Sequence, residues 1–149
     1  MAGFTLTSPS LTDGGSIPAR QTCDGQDLSP ALSWQDAPGG TLSLALIVDD
    51  PDARGFVHWV AYDIPGGPSG TLPEGIRSND TLPQGRNDFG KTGYGGPCPP
   101  SGTHRYVFTL YALSARPNLS GLPSAADVRA AIAGRILAEA KLTATYTRK

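Results

Sequence analysis

Two histidines, one carboxylate and one phenol carry the clearest chemical potential in this 149-residue sequence. His58 comes shortly after the acidic segment "DDPDARGF", and His104 follows the glycine- and proline-rich segment "GPCPPSGT". Imidazole can donate, accept or carry a proton near neutral pH, and Asp50 lies within the acidic segment. Tyr106 is two positions after His104, so both would share one face of a strand. Each histidine alone is compatible with a structural role, but together these residues indicate a polar site.

A phosphate-binding motif is also present by its letters. Residues 85–92, "GRNDFGKT", satisfy the P-loop pattern, which binds phosphate only between a buried strand and the N-terminus of a helix. The preceding "TLPQ" has a proline inside any strand, and the following "GYGGPCPP" cannot form a helix. We therefore reject the P-loop interpretation. Ser101 lies in no G-x-S-x-G elbow, and the sequence has no other recognised motif for a catalytic nucleophile.

Alternating hydrophobicity predicts the strands that would position the polar residues. Residues 41–50 alternate with period two and place Asp50 at the end of the apolar face. Residues 56–64 are apolar at both parities, which predicts a buried central strand with its even-numbered residues, including His58, on one face. Residues 104–113 predict a third strand. Weaker strand patterns cover 4–8, 31–34 and 141–147.

One helix is predicted late in the chain. Ser124 is a suitable N-cap, and Asp127 three residues later is a weaker form of the capping-box acid. Apolar residues then recur at every fourth position from Val128 to Ile136, which predicts a helix that continues to about Lys141. The result is a mainly β protein with one helix on its C-terminal side.

The totals exclude several classes of protein. A net charge of −1 and a pI near 6.0 argue against a nucleic-acid-binding face. The sequence has no apolar run long enough for a transmembrane segment and no signal-peptide pattern at its start. We expect one domain over residues 1–149 and a cytoplasmic location, with an exported protein that has lost its signal peptide as the alternative.

The two cysteines, Cys23 and Cys98, form no CxxC motif. They are compatible with two buried thiols or with a disulfide. A disulfide would close a long loop and stabilise the fold.

Several segments resemble the phosphatidylethanolamine-binding protein family, in particular its bacterial and archaeal Raf-kinase-inhibitor-like branch. They are "CDGQDLSPALSW", "DPDARGFVHWVAYDIP", "NDFGKTGYGGPCPPSGTHRYVFTLYAL" and the C-terminal "AIAGRILAEAKLTATYTRK". The resemblance implies a β-sandwich of two antiparallel sheets with a small surface pocket for phosphate-like anions. The implied ligand-binding residues are Asp50, Asp52, His58, Gly95, Gly96, Pro100, His104 and Tyr106, with the two glycines forming one wall.

Residue chemistry fits such a pocket. Successive backbone amides between residues 95 and 103 could form an anion-binding nest, and the histidines and Tyr106 add donors. The amides available there are those of Gly95, Gly96, Cys98, Ser101, Gly102 and Thr103. Asp50 would repel an anion directly, so we expect it to bind a ligand amine or to hold a histidine tautomer. Arg54 stands where the family usually has proline, in a loop shorter than is typical.

The function predicted is a non-catalytic binding protein for small phosphate-like anions or phosphorylated head groups. Control of a protein partner, as in kinase- or protease-inhibiting relatives, would be an additional role. The alternative is a metal-dependent or acid–base hydrolase that uses both histidines and Asp50. A third interpretation is a protein-binding surface with an unused pocket. We expect no cofactor and no resident metal, and both a monomer and a homodimer stay open.

Overall fold

The computed structural model describes residues 3–148 and contains two antiparallel sheets. One sheet has the order β1-β2-β5 and the other β4-β3-β6-β7. A single α-helix, α1, occurs among the described residues. The mainly β fold with two antiparallel sheets is therefore confirmed. The elements are β1 (Thr5–Thr7), β2 (Leu32–Gln35), β3 (Ser43–Asp50), β4 (Phe56–Pro65), β5 (Gly70–Leu72), β6 (Gly102–Leu113), α1 (Ala125–Ile132) and β7 (Ile136–Arg148).

The main core lies between the two sheets. Trp34 from the three-stranded sheet belongs to one buried cluster with Leu46, Trp59 and Phe108 from the four-stranded sheet. Burial of large apolar side chains from both inner faces is what holds two sheets together as a sandwich. The predicted one-domain extent, 1–149, includes positions 1, 2 and 149, which lie outside the described residues.

Strand β4 departs from simple alternation at His58. Asp49 pairs with Val57, but the next residue of β3 toward its start, Val48, pairs with Trp59. His58 is thus the extra residue of a β-bulge, and the side chains beyond it change face. The expected common face of the even-numbered residues in β4 is therefore wrong. Because of the bulge, two residues adjacent in sequence lie on the same side of the sheet: Trp59 in the core and His58 at the cavity.

Helix α1 begins as predicted, with a capping box at its first turn. The Asp127 amide donates to Ser124 Oγ at 3.1 Å, and the Ser124 amide donates to Asp127 Oδ2 at 3.0 Å. The helix ends at Ile132, so its predicted continuation is wrong. Gly134 turns the chain with φ near 80°, and Ile136 already pairs with β6. A thirteen-residue strand in the sheet is favoured there over three more helical turns.

The helix packs on the outer face of the four-stranded sheet. Val128 and Ile132 are buried against Ile47, Val60 and Leu113. Because the helix covers the outer face and the small sheet covers the inner face, β3 and β4 are buried on both sides. The expected central position of β4 is wrong, since the order β4-β3-β6-β7 places it at the edge of its sheet. No helix within residues 3–148 has the length and apolar character needed to cross a bilayer.

Candidate functional site

A cavity of about 210 Å³ opens where three strands of the larger sheet meet. Since β3 runs antiparallel to both β4 and β6, its end lies beside their beginnings. Larger cavities, such as one of about 540 Å³ beside Asp63, contain neither histidine. The smaller cavity is therefore the candidate site. Its lining residues are Asp50, Ala53, Phe56, His58, Phe89, Cys98, Pro99, Pro100, His104 and Tyr106.

One wall of the cavity is built on the pair of Asp50 and His104. The His104 Nδ1 donates to Asp50 Oδ2 at 2.6 Å, and Asp50 Oδ1 accepts the Asp52 amide at 2.8 Å. Asp50 is only 2% exposed, and both of its oxygens are bonded within the protein. Of the two roles expected for Asp50, the geometry therefore supports holding the tautomer of His104. The other ring nitrogen of His104, Nε2, takes no part in the bond to Asp50.

The opposite wall carries His58. Its Nδ1 donates to the Gly95 carbonyl oxygen at 2.7 Å, because a carbonyl oxygen can only accept. Burial lowers the pKa of His58, against smaller opposing effects of the Gly95 carbonyl and the Asp50 carboxylate. The neutral ring carries its proton on Nδ1, so its Nε2 is a hydrogen-bond acceptor at neutral pH.

Aromatic side chains surround His58. Its ring centroid lies 5.1 Å from that of Tyr106, 5.2 Å from that of Phe56 and 5.4 Å from that of Phe89. Burial raises the pKa of Tyr106, so the phenol keeps its proton and can donate. Sequence reasoning missed Phe56 and Phe89, since apolar residues at a strand start and in a loop match no motif. Phe89 lies within the rejected P-loop pattern.

Asp52 does not line the cavity, although the resemblance implied it as a ligand residue. Its Oδ2 accepts from the Arg105 amide at 2.8 Å and from Arg105 Nε at 3.1 Å. The Arg105 side chain and amide lower the pKa of Asp52 to about 2. The carboxylate thus joins the turn Pro51–Ala53 to β6. It holds the loop that carries Asp50.

Gly95 and Gly96, expected to form one wall, are not among the residues that line this cavity, and neither offers its amide to an anion. The Gly95 amide donates to the His58 carbonyl at 2.8 Å, and the Gly96 amide donates to Asp27 Oδ1 at 2.8 Å. Two of the six amides expected in the anion-binding nest are therefore already bonded within the protein. Their lack of a side chain serves close packing, since a Cβ on Gly95 would lie 2.5 Å from the Phe89 ring. A Cβ on Gly96 would clash with Asp27.

A disulfide joins Cys23 and Cys98, whose Cα atoms are 5.4 Å apart. Cys98 lines the cavity beside Pro99 and Pro100. The Cys23 amide also donates to the Pro97 carbonyl at 3.1 Å. The bond therefore ties an N-terminal loop to the wall that carries His58.

These side chains do not form the metal centre that the alternative hypothesis, a metal-dependent hydrolase, requires. Over residues 3–148 no group of three or more His, Cys, Asp and Glu side chains is placed to hold an ion. Asp50, the carboxylate that the alternative requires, uses its oxygens on His104 and on the Asp52 amide.

Known proteins with similar sequences belong to one family. The profile of the family described as phosphatidylethanolamine-binding protein matches residues 7–147. A UPF0098 protein of Methanothermobacter thermautotrophicus is 48% identical over 150 residues, covering 97% of this chain and 99% of the relative. A second, from Aquifex aeolicus, is 46% identical and covers 95% of this chain and 86% of the relative.

Two solved structures have a similar fold. A phosphatidylethanolamine-binding protein homologue of Chlamydia trachomatis superimposes with a TM-score of 0.91 at 34% identity, covering 100% of both chains. YbcL of Escherichia coli, described as a new member of the mammalian family, has a TM-score of 0.91 at 35% identity. That match covers 99% of this chain and 100% of YbcL.

Proposed function

Because this chain belongs to the phosphatidylethanolamine-binding protein family, we propose that it is a non-catalytic protein that binds small phosphate-like anions. Phosphorylated head groups are the ligand class, and control of a protein partner would be a further role. The bond between the buried Asp50 and the partly exposed His104, beside His58 and Tyr106, is the observation that carries the proposal. A volume of about 210 Å³ suits a head group better than a whole lipid.

The charges of the pocket support an anion of low charge. Asp50 is the one acidic side chain among the lining residues, and its carboxylate is bonded to His104. When His104 carries a second proton, the pair is neutral as a whole and presents an N–H at Nε2. Tyr106 adds a phenolic O–H. An oxyanion can accept from both without meeting an unpaired carboxylate.

The same residues give little support to covalent catalysis. Among the lining residues, Cys98 is held in the disulfide, and the Tyr106 phenol is buried with a raised pKa. A hydrolytic alternative would therefore need water as its nucleophile, activated by the Asp50–His104 pair. Hydrolysis of a phosphomonoester by the purified protein, lost in a His104→Ala variant, would favour that alternative.

Titration with inorganic phosphate and with O-phosphoethanolamine tests the binding function. Both compounds should raise the melting temperature and shift backbone amide resonances around residues 50, 58 and 104. His104→Ala should abolish these shifts. Thr103→Ala is the matched control, because Thr103 is exposed on the same strand and bonds only across to Thr147 at 2.7 Å. If neither compound has an effect at millimolar concentration, the proposed function is wrong.

A further inference from the structure

Both histidines are held by the same ring nitrogen, and this determines what each can offer a ligand. His58 uses Nδ1 on the Gly95 carbonyl at 2.7 Å, and His104 uses Nδ1 on Asp50 at 2.6 Å. A neutral imidazole has one proton, so a ring that donates from Nδ1 can only accept at Nε2. Either ring becomes a donor at Nε2 only when it takes a second proton.

The second proton is compensated at one ring but not at the other. At His104 it forms an ion pair with the bonded carboxylate of Asp50. At His58 the bonded partner is an uncharged carbonyl, and the residue is only 4% exposed. A buried charge without a bonded counter-ion is costly. A second proton is therefore less costly at His104, which has a bonded carboxylate, than at His58, which has none.

The groups that face His58 from the neighbouring elements support this difference. They are Asp50 at the end of β3, Tyr106 on β6, Phe89 in the loop before β6 and the more distant Asp27. Both carboxylates are bonded elsewhere, Asp50 to His104 and Asp27 to the Gly96 amide. Burial outweighs them and lowers the pKa of His58.

We propose that the pocket selects oxyanions that still carry a hydroxyl group, such as the monoanion of phosphate or of a phosphomonoester. The P–O–H donates to His58 Nε2, while the charged oxygens accept from protonated His104 and from the Tyr106 phenol. This inference rests on the proposed anion-binding function and specifies its ligand. Sulfate and phosphodiesters have no such proton. Each would direct an oxygen lone pair at the lone pair of His58 Nε2.

The same argument distinguishes two sources of a phosphorylated head group. A free phosphomonoester such as O-phosphoethanolamine can carry the required proton. The phosphodiester of an intact phospholipid cannot. The structure thus favours a soluble phosphomonoester or inorganic phosphate over a membrane lipid as the ligand.

Isothermal titration calorimetry of the unmodified protein with three probes tests the inference. At pH 6, where about half of the monoester is the monoanion, O-phosphoethanolamine should bind at least about tenfold more tightly than glycerophosphoethanolamine or sodium sulfate, a gap expected when a buried acceptor is left facing an acceptor. Only the monoanion is competent, and the second pKa of a phosphomonoester is about 6. Its apparent affinity should therefore fall at least about 50-fold between pH 6 and pH 8.

Substitution of His58 by Gln assigns the selectivity to this residue. The amide of His58→Gln supplies an N–H at the place of Nε2 at every pH, so sulfate should approach the monoester in affinity at pH 6. His104→Gln is the matched control and should weaken all three probes while keeping their ratios. Thermal unfolding establishes that both variants are folded. If His58→Gln does not fold, the three-probe comparison on the unmodified protein still decides.

The outcomes separate this inference from the function on which it rests. Equal affinities of the three probes at pH 6 would overturn the selectivity and leave the anion pocket intact. Absence of binding by all three would overturn both. Selectivity that is unchanged in a folded His58→Gln variant would overturn the role of His58.

Discussion

The two walls of the pocket present the same side chain in different surroundings. On one wall His104 is bonded to a carboxylate, and its side chain is 18% exposed. On the other wall His58 is bonded to a carbonyl and is 4% exposed. In the proposed pocket, the bonded partner and the burial decide whether Nε2 of a histidine donates to a ligand or accepts from it. Residue type alone does not.

The walls also differ in how they are held. The His104 wall is part of a continuous ladder, in which β6 pairs with β3 and with β7 over most of its length. The His58 wall depends on the loop before β6, where Asn87 bonds the Gly93 carbonyl and the Phe89 amide. The disulfide of Cys98 adds a covalent tie to that loop. We expect the second wall to loosen first.

Removal of the disulfide should have the largest effect on stability. Cys23→Ser combined with Cys98→Ser should lower the free energy of unfolding by about 4 kcal/mol, because the bond spans 75 positions and restricts the unfolded chain. Chemical denaturation measures the change, and unmodified protein reduced with dithiothreitol is the control. Hydrogen exchange should rise more over 87–98 than over 104–113. Equal increases in both segments would remove the distinction between the walls.

Asp50→Ala should disturb the wall that carries His104. Two hydrogen bonds at a buried carboxylate are lost, which should lower the free energy of unfolding by about 2 kcal/mol and release the His104 ring. Denaturation curves and the histidine ¹⁵N resonances report the two effects. Arg105→Ala, which removes an exposed ion pair between β6 and Asp52 in the turn after β3, should barely move the denaturation midpoint. A His104 tautomer unchanged in Asp50→Ala would contradict the role of the carboxylate.

The smallest effect is a pH dependence that arises from His58. Its pKa is about 6.5 in the unfolded chain and lower in the folded protein because of burial. Above pH 6.5 neither state binds the proton. As pH falls below 6.5 the unfolded state binds it first, so stability decreases, by at most about 1.4 kcal/mol per pH unit, until the folded-state pKa is reached.

Denaturation midpoints between pH 7.5 and pH 5 measure this effect. His58→Gln should flatten the curve in that window. Thr103→Ala should keep the slope of the unmodified protein. An unchanged slope in His58→Gln would show that another group carries the pH dependence.

Local pattern predicted most of the elements correctly. Alternation identified β3 and β6, and an apolar run identified β4. The polar residues at their ends come together because neighbouring antiparallel strands bring those ends to one edge. The capping box marked the start of α1. The end of α1 was missed, since the four-residue repeat continues into residues that instead join the sheet. Local periodicity cannot weigh a helix against a strand whose partner is distant in sequence.

The sequence by itself determined the strands, the residues available to a site and the expected family, because side-chain periodicity and motif order are local properties of the chain. Tertiary structure decided the rest. The bulge at His58, the bond from its Nδ1 to the Gly95 carbonyl and the use of Asp50 by His104 each join residues at a bend or far apart in sequence. Hydrogen-bond donors and acceptors are assigned by such contacts. The protonation states on which the chemistry of this pocket depends therefore arise only in the folded protein.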